Sequence, residues 1–141
     1  MTGDVLPLGA DDRDDAVALW EAAGLTRPWN DPHADYARAL FSPTATILGL
    51  RNGTRLVATA MVGDDGHRGW LYYLAVAPDR QRKGLGRTMM EAAEGWLRAR
   101  GMPAIRLMVR GGNAAAGFYA ALGYEPSDVV VMGRRLDGDR S

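Results

Sequence analysis

The 141-residue chain has no cysteine. A disulfide framework, a thiolate nucleophile and a cysteine-ligated zinc site are therefore excluded. A surplus of charge is missing too: 17 basic side chains face 17 acidic ones, which argues against nucleic acid as a partner and against a polybasic membrane surface. Lysine is nearly absent, Lys83 standing alone against sixteen arginines. No apolar run approaches the ~18 residues of a membrane span. Asp4 and the acids between Asp11 and Asp15 also spoil any positively charged leader, so a soluble cytoplasmic protein is expected. Neither a repeat nor a linker is visible. With 47% hydrophobic and 24% charged residues, the composition suits one domain over residues 1–141, with 137–141 a frayed tail.

What is present is charge of opposite sign in the two halves. Residues 1–79 carry 11 acids and 6 bases, net −5, whereas residues 80–141 carry 6 acids and 11 bases, net +5. The turnover falls at Arg80, Arg82, Lys83 and Arg87, four cations within eight residues. Genomic preference explains arginine over lysine but not this clustering.

Periodicity supplies the elements. Val5 to Leu8 reads as a short strand, kept to an edge by Pro7. A helix capped by Asp11 or Asp12 carries Ala16, Val17, Leu19, Trp20 and Ala23 on one face and stops at Gly24. A second begins after Asp31 with Pro32 in its first position and carries Tyr36, Ala37 and Leu40. Residues 44–50 and 56–62 are β-prone runs around an Asn52-Gly53 hairpin signal. Residues 70–76 are apolar at nearly every position, the pattern of a central strand covered on both faces. A helix follows over 88–100, with Met89, Met90, Ala93, Trp96 and Leu97 as its stripe and Gly101 as its stop. Ile105, Leu107 and Val109 alternate as a strand, 113–122 reads as a helix, and 129–132 as a last strand. This mixed order predicts an α/β fold with helices packed on the faces of a sheet.

The chemistry concentrates in Gln81-Arg82-Lys83-Gly84-Leu85-Gly86-Arg87, between the apolar strand and the long helix. Unpaired N–H groups at a helix start form an anion site, glycines let backbone approach a ligand closely, and the cations add charge. A pyrophosphate suits such a loop. The order of residues is neither that of a P-loop nor that of a dinucleotide fingerprint, where a third glycine would replace Met89. A solvated basic loop with a glycine turn is the plain alternative.

Gln81-x-x-Gly84-x-Gly86 after Leu74-Ala-Val76-Ala-Pro78 resembles motif A of the GCN5-related N-acetyltransferases (GNAT). Asn113, Ala116, Phe118-Tyr119 and Leu122-Gly123-Tyr124 resemble the family's motif B. The segments Arg27-Pro-Trp-Asn-Asp-Pro32 and Asp65-Gly-His-Arg-Gly69 are similar to the YpeA branch of bacterial acetyltransferases. The resemblance implies a central twisted mixed sheet of about six to seven strands with about four helices. It also implies a bulge in the strand ending at Val76, which splays from the strand at 105–109. Acetyl-CoA would be the donor co-substrate, without a metal. Its pyrophosphate would rest on residues 81–87, and its pantetheine along Leu74, Ala75 and Val76, where a free N–H near Val76 would polarise the thioester carbonyl.

Tyr119 matches the family's general acid. A phenol of pKa ~10 stays protonated near neutrality and can protonate a departing thiolate of pKa ~8.5. The plain reading is that Phe118 and Tyr119 pack the last helix. Asn113 stands six residues before Tyr119, where many members place Asn seven before. It is either a cofactor contact or a helix cap. An alkylamine acceptor of pKa ~10.4 must lose a proton, yet residues 71–76 hold no acid. His67, Asp64 and Asp65 in the adjoining turn, or water held by Tyr72 or Tyr73, are the candidates, His67 having the best-matched intrinsic pKa. Trp29, Asn30 and Asp31 lie in the loop that shapes the acceptor pocket in this family, and an aromatic with a carboxylate suits a cationic amine. The same residues would equally staple the loop.

The expected function is direct acetyl transfer from acetyl-CoA to a primary amine in a ternary complex, since without cysteine there is no thiol acyl-enzyme. The amine is either a small molecule or a protein N-terminus, as in the similar RimI branch. A CoA-binding regulatory module without catalysis is the alternative of another class. A homodimer is among the assemblies open to such a chain.

Overall fold

The larger of the two units into which the chain divides, Met1–Leu107, holds the sheet, and the smaller is Met108–Ser141. The computed structural model describes residues 3–110 and 114–138. In the first unit, β1 (Val5–Pro7) is an edge strand, where a proline removes no ladder bond that matters. Helix α1 (Arg13–Ala22) buries Ala16, Val17, Leu19 and Trp20, as its spacing predicts. Helix α2 (Pro32–Phe41) starts with Pro32 behind an Asp31 cap whose Oδ1 accepts from the amides of His33 and Ala34, and it buries Tyr36 and Ala39. Strands β2 (Ala45–Asn52), β3 (Arg55–Asp64) and β4 (Gly69–Val76) form an antiparallel meander. Asn52 pairs with Arg55, which leaves Gly53 at φ +65° and Thr54 as a two-residue turn. Helix α3 (Leu85–Ala99) then crosses back, and β5 (Ile105–Arg106) runs parallel to β4.

The sheet order is β1-β2-β3-β4-β5, a mixed sheet as expected. Strand β3 is its centre, buried without interruption from Leu56 to Val62. Side chains alternate across a strand, so Thr59 and Asp64 point to opposite faces. Thr59 meets Trp20 of α1, and Asp64 meets Arg100 at the end of α3. Helices α1 and α3 therefore cover opposite faces. Arg100 also lies over the Trp96 ring, 4.7 Å from its centroid, which ties the end of α3 to the end of β3.

In four places the structure departs from the pattern reading. The strand covered on both faces is β3, whereas β4 sits one place off centre and leaves Tyr72 44% exposed. An apolar run reports affinity for burial, not which face is buried. Helix α3 begins at Leu85, three residues before the expected start, because Gly84 in the left-handed region opens it without a side-chain cap. Strand β5 is only Ile105–Arg106, paired with Gly69 and Trp70, and ends before Leu107 and Val109. Residues 129–132 form no strand: Met132 is 90% exposed, since β-branched residues make a strand only when a ladder partner is supplied. The described sheet thus has five strands, fewer than the expected six to seven. In the second unit, α4 (Ala115–Ala121) is followed by Gly123 at φ +94°, and Tyr124 N–H donates to the Tyr119 carbonyl at 3.0 Å. Asn113 lies outside the described residues.

Candidate active site

Strand β4 carries the expected bulge. Met61 pairs with Tyr72 and Thr59 with Ala75, so Tyr73 and Leu74 together oppose the single residue Ala60. The bulge lies two residues upstream of Val76, which itself pairs in register with Ala58. Tyr73 adopts φ +50°, an outlying conformation for a bulky side chain. Three neighbours hold it there. The Trp20 indole stacks on its ring at 3.9 Å and 12°. Its hydroxyl donates to Asp35 Oδ2 of α2 at 2.6 Å. Its carbonyl accepts from Thr59 Oγ1 at 3.0 Å, and that oxygen in turn accepts from Trp20 Nε1 at 2.9 Å. Burial and the hydrogen bond to Asp35 push the Tyr73 phenol well above its ordinary pKa. Past Trp70 the outer edge of β4 pairs with no described strand; since Ala77 N–H donates to the Val57 carbonyl and Ala75 pairs with Thr59, alternation turns the Val76 N–H to that open edge, where the Val76 carbonyl accepts from Gln81.

At the far end of β4 the chain turns through a 3-10 turn, Pro78–Arg80, held by a two-pronged pair from Arg55 to Asp79 at 2.7 and 2.6 Å. The loop that follows has two residues in the left-handed region, Arg82 at φ +65° and Gly84 at φ +81°. The first intrahelical bond of α3 runs from Thr88 N to the Gly84 carbonyl at 3.1 Å. The amides of Leu85, Gly86 and Arg87 therefore have no acceptor within the helix. No acid stands in this first turn. Arg82, Lys83, Gly84 and Arg87 are exposed, and the three cations have no ion-pair partner among the described residues. Leu85 is buried and can offer a ligand only its amide, while Gln81 braces the loop by donating to the Val76 carbonyl at 3.4 Å. Helix dipole, open amides and unspent cations together make an anion cradle.

Of the acceptor-loop candidates, Asp31 spends Oδ1 capping α2. Trp29 is half-buried and Asn30 exposed in the same loop, and Arg27 fastens that loop by donating to the carbonyls of Gly24 and Thr26. In the β3–β4 turn both acids are engaged. Asp64 accepts from Arg100 and from the Gly66 amide. Asp65 accepts from the amides of His67 and Arg68 and from Trp70 Nε1, bonds that lower its pKa to about 2. His67 is exposed, with Nε2 2.6 Å from Arg68 Nη2. It lies six residues before Tyr73, roughly 20 Å along an extended strand. Burial and the charge of Asp65 push the exposed-edge Tyr72 phenol up.

In the second unit, the Tyr119 ring meets Phe118 edge-on at 5.1 Å and Tyr124 at 5.9 Å. Burial raises its pKa, so it holds its proton at neutral pH. Among the described residues no cluster of His, Asp or Glu fits a metal, and no helix is long and apolar enough to cross a membrane. The support of the bulge by Trp20, Thr59 and Asp35 has no counterpart in the sequence pattern. Thr59 is the only signal available, the one polar residue in the apolar run 56–62.

The Acetyltransferase (GNAT) family model matches residues 14–124. An acetyltransferase of Yersinia pestis is 42% identical over 132 residues, covering 92% of this chain and 93% of its own length. One from Pectobacterium atrosepticum is 43% identical over the same span. Among solved structures, the ribosomal-protein-S18-alanine N-acetyltransferase of Escherichia coli superposes with a TM-score of 0.77 at 28% identity, over 90% of this chain and 79% of that one. The aminoglycoside N-acetyltransferase AAC(6')-Iy in complex with CoA gives 0.82 at 15% identity, over 96% and 95% of the two chains, a likeness of fold. A bulged β4 leading through a glycine-opened anion cradle into α3, and relatives of this identity over nearly the whole chain, place it in the Acetyltransferase (GNAT) family of acyltransferases.

Proposed function

We propose that the protein transfers the acetyl group of acetyl-CoA directly to a primary amine. The observation that carries this reading is the cradle of Gln81, Arg82, Lys83, Gly84, Leu85, Gly86 and Arg87 at the end of a bulged strand with an open edge. The pyrophosphate would accept from the α3 amides, with Arg82, Lys83 and Arg87 balancing its charge. The pantetheine arm would pair with the open β4 edge at Leu74, Ala75 and Val76, which sets the thioester carbonyl at the bulge amides. The amine nitrogen attacks that carbonyl carbon, a C–N bond forms, the C–S bond breaks, and Tyr119 protonates the departing thiolate. With no cysteine in the chain, no thiol acyl-enzyme intervenes.

The amine proton goes to water on Tyr72, since His67 stands roughly 20 Å up the strand from the bulge and Asp64 and Asp65 are spent on the turn. Trp29, Asn30 and Asp31 would line the acceptor side, and we assign the protein to the cytoplasm as a single catalytic domain. A protein N-terminal α-amine is the second reading, favoured by the 28% identity to the S18-alanine enzyme. A panel of polyamines, aminoglycosides and Ala-starting peptides, followed by mass detection of the acetylated product, tests both. A chain that binds acetyl-CoA and acetylates nothing on the panel is a regulatory module instead.

A further inference from the structure

The residue in the least comfortable conformation of the sheet is Tyr73, and it is also the most thoroughly held. A bulky non-glycine residue in the left-handed region is strained. The stack on Trp20, the bond to Asp35 and the bond from Thr59 offset that strain from three separate elements, α1, α2 and β3. Nothing in strand propensity requires it, because glycine would take φ +50° freely. Asp35 completes the arrangement: Oδ2 accepts from Tyr73, while Oδ1 accepts from Arg38 one turn further along α2. The same helix begins at the Asp31 cap, immediately after the loop of Trp29 and Asn30. A continuous path thus runs from the loop of Trp29 and Asn30 through α2 to the bulge.

We propose that Tyr73 is a positioning residue, clamped by Asp35, Trp20 and Thr59 so that the bulge amides at 73 and 74 meet the thioester carbonyl, and that Asp35 couples the setting of α2 to this geometry. The proposal rests on the acetyl-transfer reading. It is tested in the full chain with Tyr73→Phe, Asp35→Ala and Asp35→Asn, the last retaining an acceptor oxygen. CoA affinity is measured by calorimetry, acetyl transfer by kcat on the best amine of the panel, or on water if none reacts, and the amide shifts of residues 73 and 74 by nitrogen-15 spectra of the CoA and acetyl-CoA complexes.

In the wild type these amides distinguish acetyl-CoA from CoA. Tyr73→Phe and Asp35→Ala keep the CoA Kd within about twofold and lower kcat about fivefold, the effect of one hydrogen bond of ~1 kcal/mol. Both also blunt the amide response. Asp35→Asn restores most of kcat, and the double variant Tyr73→Phe/Asp35→Ala is no worse than the poorer single one. Should Asp35→Ala not fold, Tyr73→Phe decides, since it removes only an oxygen. A folded Tyr73→Phe protein with wild-type kcat and amide response overturns the proposal, as do additive losses in the double variant. Failure of the wild type to bind CoA at all would instead overturn the acetyl-transfer reading.

Discussion

Thr59→Val is the sharpest test of how the bulge is held. Thr59 is fully buried, accepts from Trp20 Nε1 and donates to the Tyr73 carbonyl. Valine has the same shape and fits a strand at least as well, so the change isolates one hydroxyl. It strands a buried indole N–H and a part-buried carbonyl at ~1–3 kcal/mol each. Burial of the new methyl returns about 1 kcal/mol. The net loss is about 3 kcal/mol, which for a chain of this length lowers the melting temperature by about 10 °C. Urea unfolding followed by tryptophan fluorescence reads it as a drop of about 1–2 M in the midpoint at unchanged m. Thr59→Ser, which keeps the hydroxyl, loses only about 1 kcal/mol. In a Trp20→Phe background, with no indole donor to strand, the Thr59→Val cost falls by about a third or more. A Thr59→Val loss under ~1 kcal/mol, or the same loss in both backgrounds, refutes the reasoning.

Three further outcomes are expected. Gly84→Asp places a negative charge in the anion cradle where a Cβ meets nothing within 4 Å and φ is +81°. Calorimetry should show CoA affinity down at least tenfold with a melting temperature within a few degrees of wild type, and intact binding would discard the loop assignment. Tyr119→Phe should leave CoA affinity unchanged and lower kcat on the order of a hundredfold across pH 7 to 9, whereas near-wild-type turnover removes the acid role. Asp65 has a folded pKa of about 2, below the 3.8 of a free aspartate, so it stabilises the fold above pH 4 and that contribution fades as pH falls from about 4 to about 2. Melts of Asp65→Asn should accordingly differ from wild type at pH 6 and converge with it near pH 2, and a gap independent of pH would exclude the assignment.

The elements that local rules govern were readable in advance. Asp31 with Pro32 marks the start of α2, Gly53 the hairpin, and the stripe from Met89 to Leu97 the buried face of α3. Each depends on a backbone angle or a spacing within a few residues. The elements that failed are those whose existence depends on a distant partner. Residues 129–132 have every β-forming quality and no strand pairing, and β5 ends where β4 stops accompanying it. For the same reason the apolar run 70–76 suggests burial on both faces, while the sheet gives that place to β3.

The candidate site divides along the same line. The cradle is a local object: seven consecutive residues whose glycines, cations and helix start favour an anion, and whose presence in the basic half of the chain shows before any folding is considered. By itself the sequence determined that chemistry and, through resemblance, the family. Which groups hold the bulge was decided only by tertiary structure, since Trp20, Asp35, Thr59 and Tyr73 lie on four elements and meet only when two helices are laid on the sheet. Helix and turn signals are short-range because they report backbone torsion. A hydrogen bond across 38 residues, such as Tyr73 to Asp35, leaves no period in the chain that makes it.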